Sequence, residues 1–130
     1  MPFDLAESFI YAAEQLLGAT LPDAYRNSML KKNGGELEIE DDVWQQYPIA
    51  DTSDRKRISR TANHIIKETQ YFKSWPGFPR EAVAIAGNGS GDQLVLIKEG
   101  TSFGQAVYIW VHGTGQLQKI ANNFSALTAL

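Results

Sequence analysis

Four strand-like runs follow one another between residues 82 and 121, at 82–86, 93–98, 105–112 and 116–121, joined only by short polar or glycine-rich links. A parallel return to the same sheet needs a crossover of about a dozen residues or more. None of these links is that long, so the runs can pair only as antiparallel neighbours. The last two form a hairpin around Gly113-Thr114-Gly115. The chain must therefore pack its helices against a mostly antiparallel central sheet, an α+β architecture.

Upstream, the apolar period is helical. Leu5, Phe9, Ala12, Ala13, Leu16 and Leu17 recur at three- and four-residue spacing, with Asp4 and Glu7 placed as an acidic capping box and Gly18 at the stop. Leu21-Pro22-Asp23 opens a second helix, striped by Ala24, Tyr25, Met29 and Leu30 and ended by Asn33-Gly34-Gly35. In Glu36-Leu37-Glu38-Ile39-Glu40 the period drops to two, so Leu37 and Ile39 face inward and three glutamates face out. Residues 43–47 supply a second strand, closed by Pro48. Asp51 is placed to cap a third helix, with Asp54 three positions on, and Ile58, Ala62, Ile65, Ile66, Thr69 and Phe72 form one stripe along it. Trp75-Pro76-Gly77-Phe78-Pro79 makes a rigid connector, and residues 124–130 form a short closing helix capped by Asn122 or Asn123.

A length of 130 residues suits one domain spanning residues 1–130. With no cysteine, the chain has no disulfide, thiolate metal site or cysteine nucleophile, which fits a reducing cytoplasm. Twelve basic against 15 acidic residues leave a net charge of −3, the wrong sign for a duplex nucleic-acid binder. No run reaches the roughly 18–20 apolar residues of a membrane span, and residues 1–4 carry no signal-peptide pattern. Composition thus leads to a soluble cytoplasmic protein without nucleic-acid or membrane partners.

The glycine-rich stretch Gly87-Asn88-Gly89-Ser90-Gly91-Asp92 invites a search for chemistry. It lacks the third glycine of a dinucleotide fingerprint, and a strand follows it instead of a phosphate-binding helix. Asn88 and Asp92 occupy the glycine positions that a nucleophile elbow around Ser90 would need. The stretch is a flexible turn between strands. His64 and His112 have no second ligand at metal-binding spacing, and His64, off the apolar stripe, is expected in solvent. We therefore expect no cofactor, no metal and no catalytic residue. An enzyme built on Ser90, Asp92 and His112 would require them to converge in a pocket.

The acidic segment is of another kind. Glu36, Glu38, Glu40, Asp41 and Asp42 crowd five carboxylates into seven residues. Like charges at this spacing repel. They serve either as a charged edge that blocks aggregation or as a surface that steers a basic partner. Trp44 and Tyr47 lie beside them, as interface anchors or as core. The basic run Arg55-Lys56-Arg57 with Arg60 opposes the dipole at its helix start and suits a solvated face. In the 105–112 strand, Tyr108 and Trp110 share one face and Val107, Ile109 and Val111 the other, with the aliphatic face expected deeper.

Taken together, Leu21-Pro22-Asp23-Ala24-Tyr25, Asn33-Gly34-Gly35, Phe78-Pro79, Val83-Ala84-Ile85-Ala86, the glycine turn through Gln93-Leu94, Val107-Tyr108-Ile109-Trp110-Val111-His112 and Ile120-Ala121-Asn122-Asn123-Phe124 resemble the SUKH superfamily in order and spacing. The resemblance covers residues 21–127. It implies an α+β fold with a largely antiparallel sheet. It also implies a protein-binding, non-enzymatic role. Bacterial members are mostly immunity proteins that bind and neutralise a toxin domain, often a nuclease; fungal members act in cell-wall assembly and signalling. The expected partner is then the C-terminal domain of a cognate toxin. The alternative is a non-inhibitory interaction or regulatory module. Gly91 and Asp92 match the family's structural glycine–aspartate turn. Assigning Glu36, Glu38, Glu40, Asp41, Asp42, Trp44 and Tyr47 to the toxin-facing surface is an inference from this chain alone.

Overall fold

Proline, glycine and capping residues divide the chain much as their chemistry dictates. A computed structural model describes residues 2–130. Helices α1 (Glu7–Leu17) and α2 (Asp23–Lys31) precede a hairpin of β1 (Gly35–Ile39) and β2 (Asp42–Gln46). Helices α3 (Arg55–Arg60) and α4 (Ile65–Phe72) follow, and then β3 (Ala82–Gly87), β4 (Gln93–Glu99), β5 (Ser102–Phe103), β6 (Val107–Val111) and β7 (Gln116–Ala121). A single 3₁₀ turn (Phe124–Ala126) leads into β8 (Thr128–Ala129). The strands form one sheet in the order β7-β6-β4-β3-β2-β1-β8, with β5 pairing to β4 off this path. Every pairing between these strands is antiparallel, and one isolated parallel bridge joins Thr20 to Ser102. The architecture is α+β.

Strand β3 is buried along its whole length. Alternation sends Val83 and Ile85 to one face, where they join Ile10, Tyr25, Met29, Leu37, Trp44, Leu94 and Leu96 beneath α1 and α2. Ala82 and Ala84 face the other way, into a smaller cluster with Phe72, Val95 and Trp110. A strand buried on both faces must also satisfy its backbone on both edges. Strand β4 pairs along one edge, but β2 reaches only Ala86 and Gly87 on the other. Pro48 then ends the β2 run, and Tyr47 N–H donates to the Ile85 carbonyl at 2.9 Å. Beyond it, Thr69 of α4 accepts the Ala84 N–H on its Oγ1 at 2.9 Å.

Several local expectations change. Ala6, not Asp4, precedes α1, and no side chain caps it; Asp4 instead meets the Arg57 guanidinium. The expected third helix is two helices. Asp54 caps α3 through its side chain, while Asp51 is 1% exposed and folded back on Ser53. Residues 61–64 interrupt the stripe, and His64 is not simply solvated: its Nδ1 accepts the Lys67 N–H at 3.3 Å and caps α4. Burial, with the nearby Lys67 charge, holds the His64 ring below its ordinary pKa. Ile58 ends half exposed because α3 buries no residue. The closing helix shrinks to one 3₁₀ turn capped by Asn123, and the chain then extends to pair with β1. The aliphatic face of β6 is not uniformly the deeper one: Trp110 is fully buried, whereas Ile109 and Val111 are only part-buried. Phe72, Trp75 and Phe78 cover Trp110 edge-on, and its indole N–H donates to the Gly77 carbonyl at 3.0 Å.

Two buried carboxylates organise the helices. Glu14, 5% exposed, accepts the Leu21 N–H at 2.7 Å and pairs with Arg26 Nε at 3.3 Å, fixing the α1–α2 corner. Asp51 pairs with Arg57 at 2.9 Å, and the same guanidinium reaches the Asp4 carbonyl and carboxylate. The basic start of α3 thus has a use that dipole arguments miss: Arg57 straps residues 2–5 to the body. Burial pushes the Asp51 carboxyl up, but hydrogen bonds from Ser53 and Arg57 outweigh it and hold Asp51 below the usual carboxylate range.

Two measurements follow. Thr69→Val keeps the shape of the side chain but leaves the buried Ala84 N–H unpaired, so chemical denaturation should show a loss of about 1–3 kcal/mol, with Thr69→Ser retaining most of the stability. Because the Asp51 pKa is depressed on folding, its contribution is complete above the unfolded value of about 3.9 and disappears as pH falls through the folded value. Asp51→Asn should therefore be clearly less stable than wild type near neutral pH, and the gap should close in acid. A gap independent of pH would contradict the clamp.

Candidate functional site

The β1–β2 hairpin keeps one of its faces uncovered. Leu37 and Trp44 face each other across the hairpin and point into the core. Glu36, Glu38, Val43 and Gln45 occupy the exposed face, where Glu36 pairs with Gln45 and Glu38 with Val43. Gln45 also donates a side-chain hydrogen bond to the Glu36 carboxylate. The turn is made by Glu40 and Asp41, with φ of 51° and 66°. Hairpin turns with two left-handed residues favour Asn-Gly, and a left-handed residue with a Cβ costs roughly 1–2 kcal/mol. Two carboxylates therefore stand at the hairpin tip in a backbone conformation that does not favour them.

All five carboxylates are exposed, and none is ion-paired among the described residues. The three glutamates do not all share one face as the alternation suggested. Glu36 and Glu38 lie on the open face, Glu40 and Asp41 at the tip, and Asp42 accepts a hydrogen bond from Asn88 at 2.9 Å. Trp44 is 2% exposed and packs in the core, so it is not available as an interface anchor. Tyr47 is half-buried, and its hydroxyl donates to Gln93 Oε1 at 2.7 Å. Burial, with the Glu68 charge adding to it and the Gln93 bond opposing, pushes its hydroxyl up to about 12. Gly87 makes that contact possible, because a Cβ there would lie 2.5 Å from the Tyr47 oxygen.

The glycine-rich link is more ordered than its composition suggests. Asn88 Oδ1 accepts from the Ser90 backbone at 3.1 Å and from its hydroxyl at 2.6 Å. Asp92 and His112 do meet: Oδ1 lies 2.7 Å from Nδ1 and also accepts the His112 backbone N–H at 3.1 Å. Gly91, with φ of 107°, lies against that ring, where a Cβ would come within 3.0 Å. Trp75 meets the other side of the imidazole, its centroid 5.8 Å away. The Ser90 hydroxyl donates to Asn88 and accepts the Asp92 backbone N–H at 3.4 Å, so it is tied into the turn and does not point at the imidazole-bonded carboxylate. The three residues thus form a lock on the turn, each bonded to its neighbours within it. Sequence spacing could not bring residues 92 and 112 together, because the contact depends on β4–β6 pairing. Among the described residues, no group of three or more His, Cys, Asp and Glu comes together as a metal cage, and no helix is long and apolar enough to cross a membrane.

No curated protein matches this sequence. The family model that does match is the SMI1 / KNR4 family (SUKH-1), over residues 5–129. That span takes in both helices before the sheet, the acidic hairpin, the locked glycine turn and β8. The chain therefore belongs to the SMI1 / KNR4 family (SUKH-1) of the SUKH superfamily.

Proposed function

We propose that this protein is an immunity protein, which binds a cognate toxin domain and neutralises it without catalysing a reaction. The observation that carries the reading is the open acidic hairpin within a chain of a family that includes immunity proteins. Glu36, Glu38, Glu40, Asp41 and Asp42 would meet a basic cleft of the kind that holds a phosphate backbone in a nuclease. Exposed carboxylates with no cation of their own lose little internal pairing when a partner's Lys and Arg side chains take them up. A tight complex needs roughly 1,600 Å² of buried surface, more than charges alone supply. Val43, 43% exposed between Glu38 and Gln45, gives the hairpin an apolar centre that Trp44 cannot give. Tyr47 contributes at most its exposed edge.

Growth rescue tests the role. The C-terminal domain of a toxin encoded beside this gene is expressed with and without the protein, and rescue restricted to that toxin supports neutralisation. Absence of rescue, with the toxin domain demonstrably active, moves the reading to a non-inhibitory interaction or regulatory module. Two further outcomes concern the surface. Neutralising Glu36, Glu38 and Glu40 together should slow association at low salt and flatten its salt dependence; an unchanged association rate would remove the hairpin from the interface. Replacing the tip by Glu40→Asn and Asp41→Gly should raise stability by roughly 1–2 kcal/mol while weakening the complex. A tip kept only as a solvated edge would show the first effect without the second.

A further inference from the structure

The uncovered face of the hairpin does not stop at β2. Gln45 lies opposite Gly87 of β3, and opposed residues of an antiparallel pair share a face. A Cβ on Gly87 would meet the Tyr47 hydroxyl and the Gln93 amide, so these side chains continue the face that carries Glu36, Glu38 and Gln45. Helix α4 comes next. The Glu68 carboxylate lies near enough to Tyr47 to act on its hydroxyl by charge. Glu68, Tyr71 and Trp75 follow one another at spacings of three and four, which places them on one side of α4 and its continuation. A second chain of contacts reaches the same place from the start of β2. Asn88 bonds Asp42 at 2.9 Å, Asp92 of the same turn bonds His112 at 2.7 Å, and the His112 ring meets Trp75 at 5.8 Å.

The two rings are exposed yet held. Tyr71 is 57% exposed and stands edge-on to Phe72 at 5.0 Å and to Trp75 at 6.0 Å. Trp75 is part-exposed and backed by Trp110 at 6.3 Å. Burial of Trp44 leaves the acidic face without an aromatic anchor of its own, and interfaces draw most of their binding energy from a few Tyr, Trp and Arg residues. An aromatic face attracts a cation within about 6 Å of its centre, and Glu68, with no ion pair among the described residues, adds to that attraction. The molecule makes such a contact elsewhere: the Arg57 guanidinium lies 4.5 Å from the centre of the Phe3 ring, with Lys56 and Arg60 also over it. Among the described residues, no cation is stacked on Tyr71 or Trp75. A purely apolar occupant would desolvate Glu68 without pairing it. An arginine satisfies both groups, because its plane stacks on a ring while its N–H fork meets a carboxylate. We propose that Tyr71 and Trp75, with Glu68 beside them, anchor an arginine side chain of the basic partner that the hairpin attracts.

This inference rests on the hairpin as the partner-facing surface, and its test separates the two. An isotope-labelled protein is titrated with a capped Gly-Arg-Gly-Arg-Gly peptide and with the same peptide carrying citrulline for arginine. Backbone amide, indole N–H and tyrosine ring signals are followed. The arginine peptide should produce saturable shifts at the Trp75 indole, the Tyr71 ring and the Glu68 amide as well as along the hairpin. Citrulline keeps the planar group but loses the charge, and should leave the rings unmoved. Tyr71→Ala, an exposed change, should weaken binding of the arginine peptide by about threefold or more, while Tyr71→Phe, which keeps the ring face, should bind as wild type does. Glu68→Gln should also weaken it. Neutralising Glu36, Glu38 and Glu40 together should lower affinity but leave the shifts at Tyr71 and Trp75 in place. Shifts confined to the hairpin would overturn the anchor and leave the hairpin standing; shifts at the rings alone would support the anchor and count against the hairpin. Equal ring shifts from the citrulline peptide, unchanged binding by Tyr71→Ala, or no shifts anywhere would each overturn the proposal.

Discussion

Burying β3 on both faces is the constraint around which the other elements are arranged. A strand with no wet side has no water to satisfy a missed hydrogen bond, so each stretch of its edges needs a partner. Strand β4 serves one edge. The other is shared in sequence by the end of β2, the Tyr47 backbone and the Thr69 hydroxyl. This explains why α4 lies where it does: it brings a β-branched hydroxyl to a backbone position that the hairpin cannot reach. Having docked there, α4 places Phe72 over Trp110, and the aromatic connector closes the second core.

What the sequence made legible was governed by local physics. Period, glycine stops and the shortness of the links between residues 82 and 121 located α1, α2, both hairpins and the antiparallel sheet. The misses came from long-range pairing. Asp4 had the spacing of a cap, but Arg57 took it. Asp51 resembled a helix start because nothing local revealed that it would be buried against Thr61 and Arg57. The closing helix failed because residues 128–129 found an edge of β1 to complete, a partner about ninety residues earlier in the chain. Tertiary hydrogen bonds overrode weak helix propensity in a short segment.

The candidate surface was legible in composition and only partly in geometry. Five carboxylates in seven residues announce themselves, but a strand-turn-strand path distributes them over an open face, a tip and a bond to Asn88. Trp44 illustrates the limit of adjacency. Its neighbours in sequence are exposed, yet the pleat turns it inward against Leu37.

The pairing of β8 with β1 has a consequence for how the molecule comes into being. Leu37 and Glu38 are synthesised early, whereas Ala129 and Thr128, which cover their outer edge, are among the last residues described. Until those residues emerge from the ribosome, the acidic strand has an open ladder on one side. Its glutamates then serve a purpose independent of any partner: mutual repulsion keeps nascent copies on neighbouring ribosomes from zipping together through that edge. Closure of the sheet is thereby tied to completion of this stretch of chain, and the glutamates proposed to meet a partner also keep like charge along an edge that stays open until then.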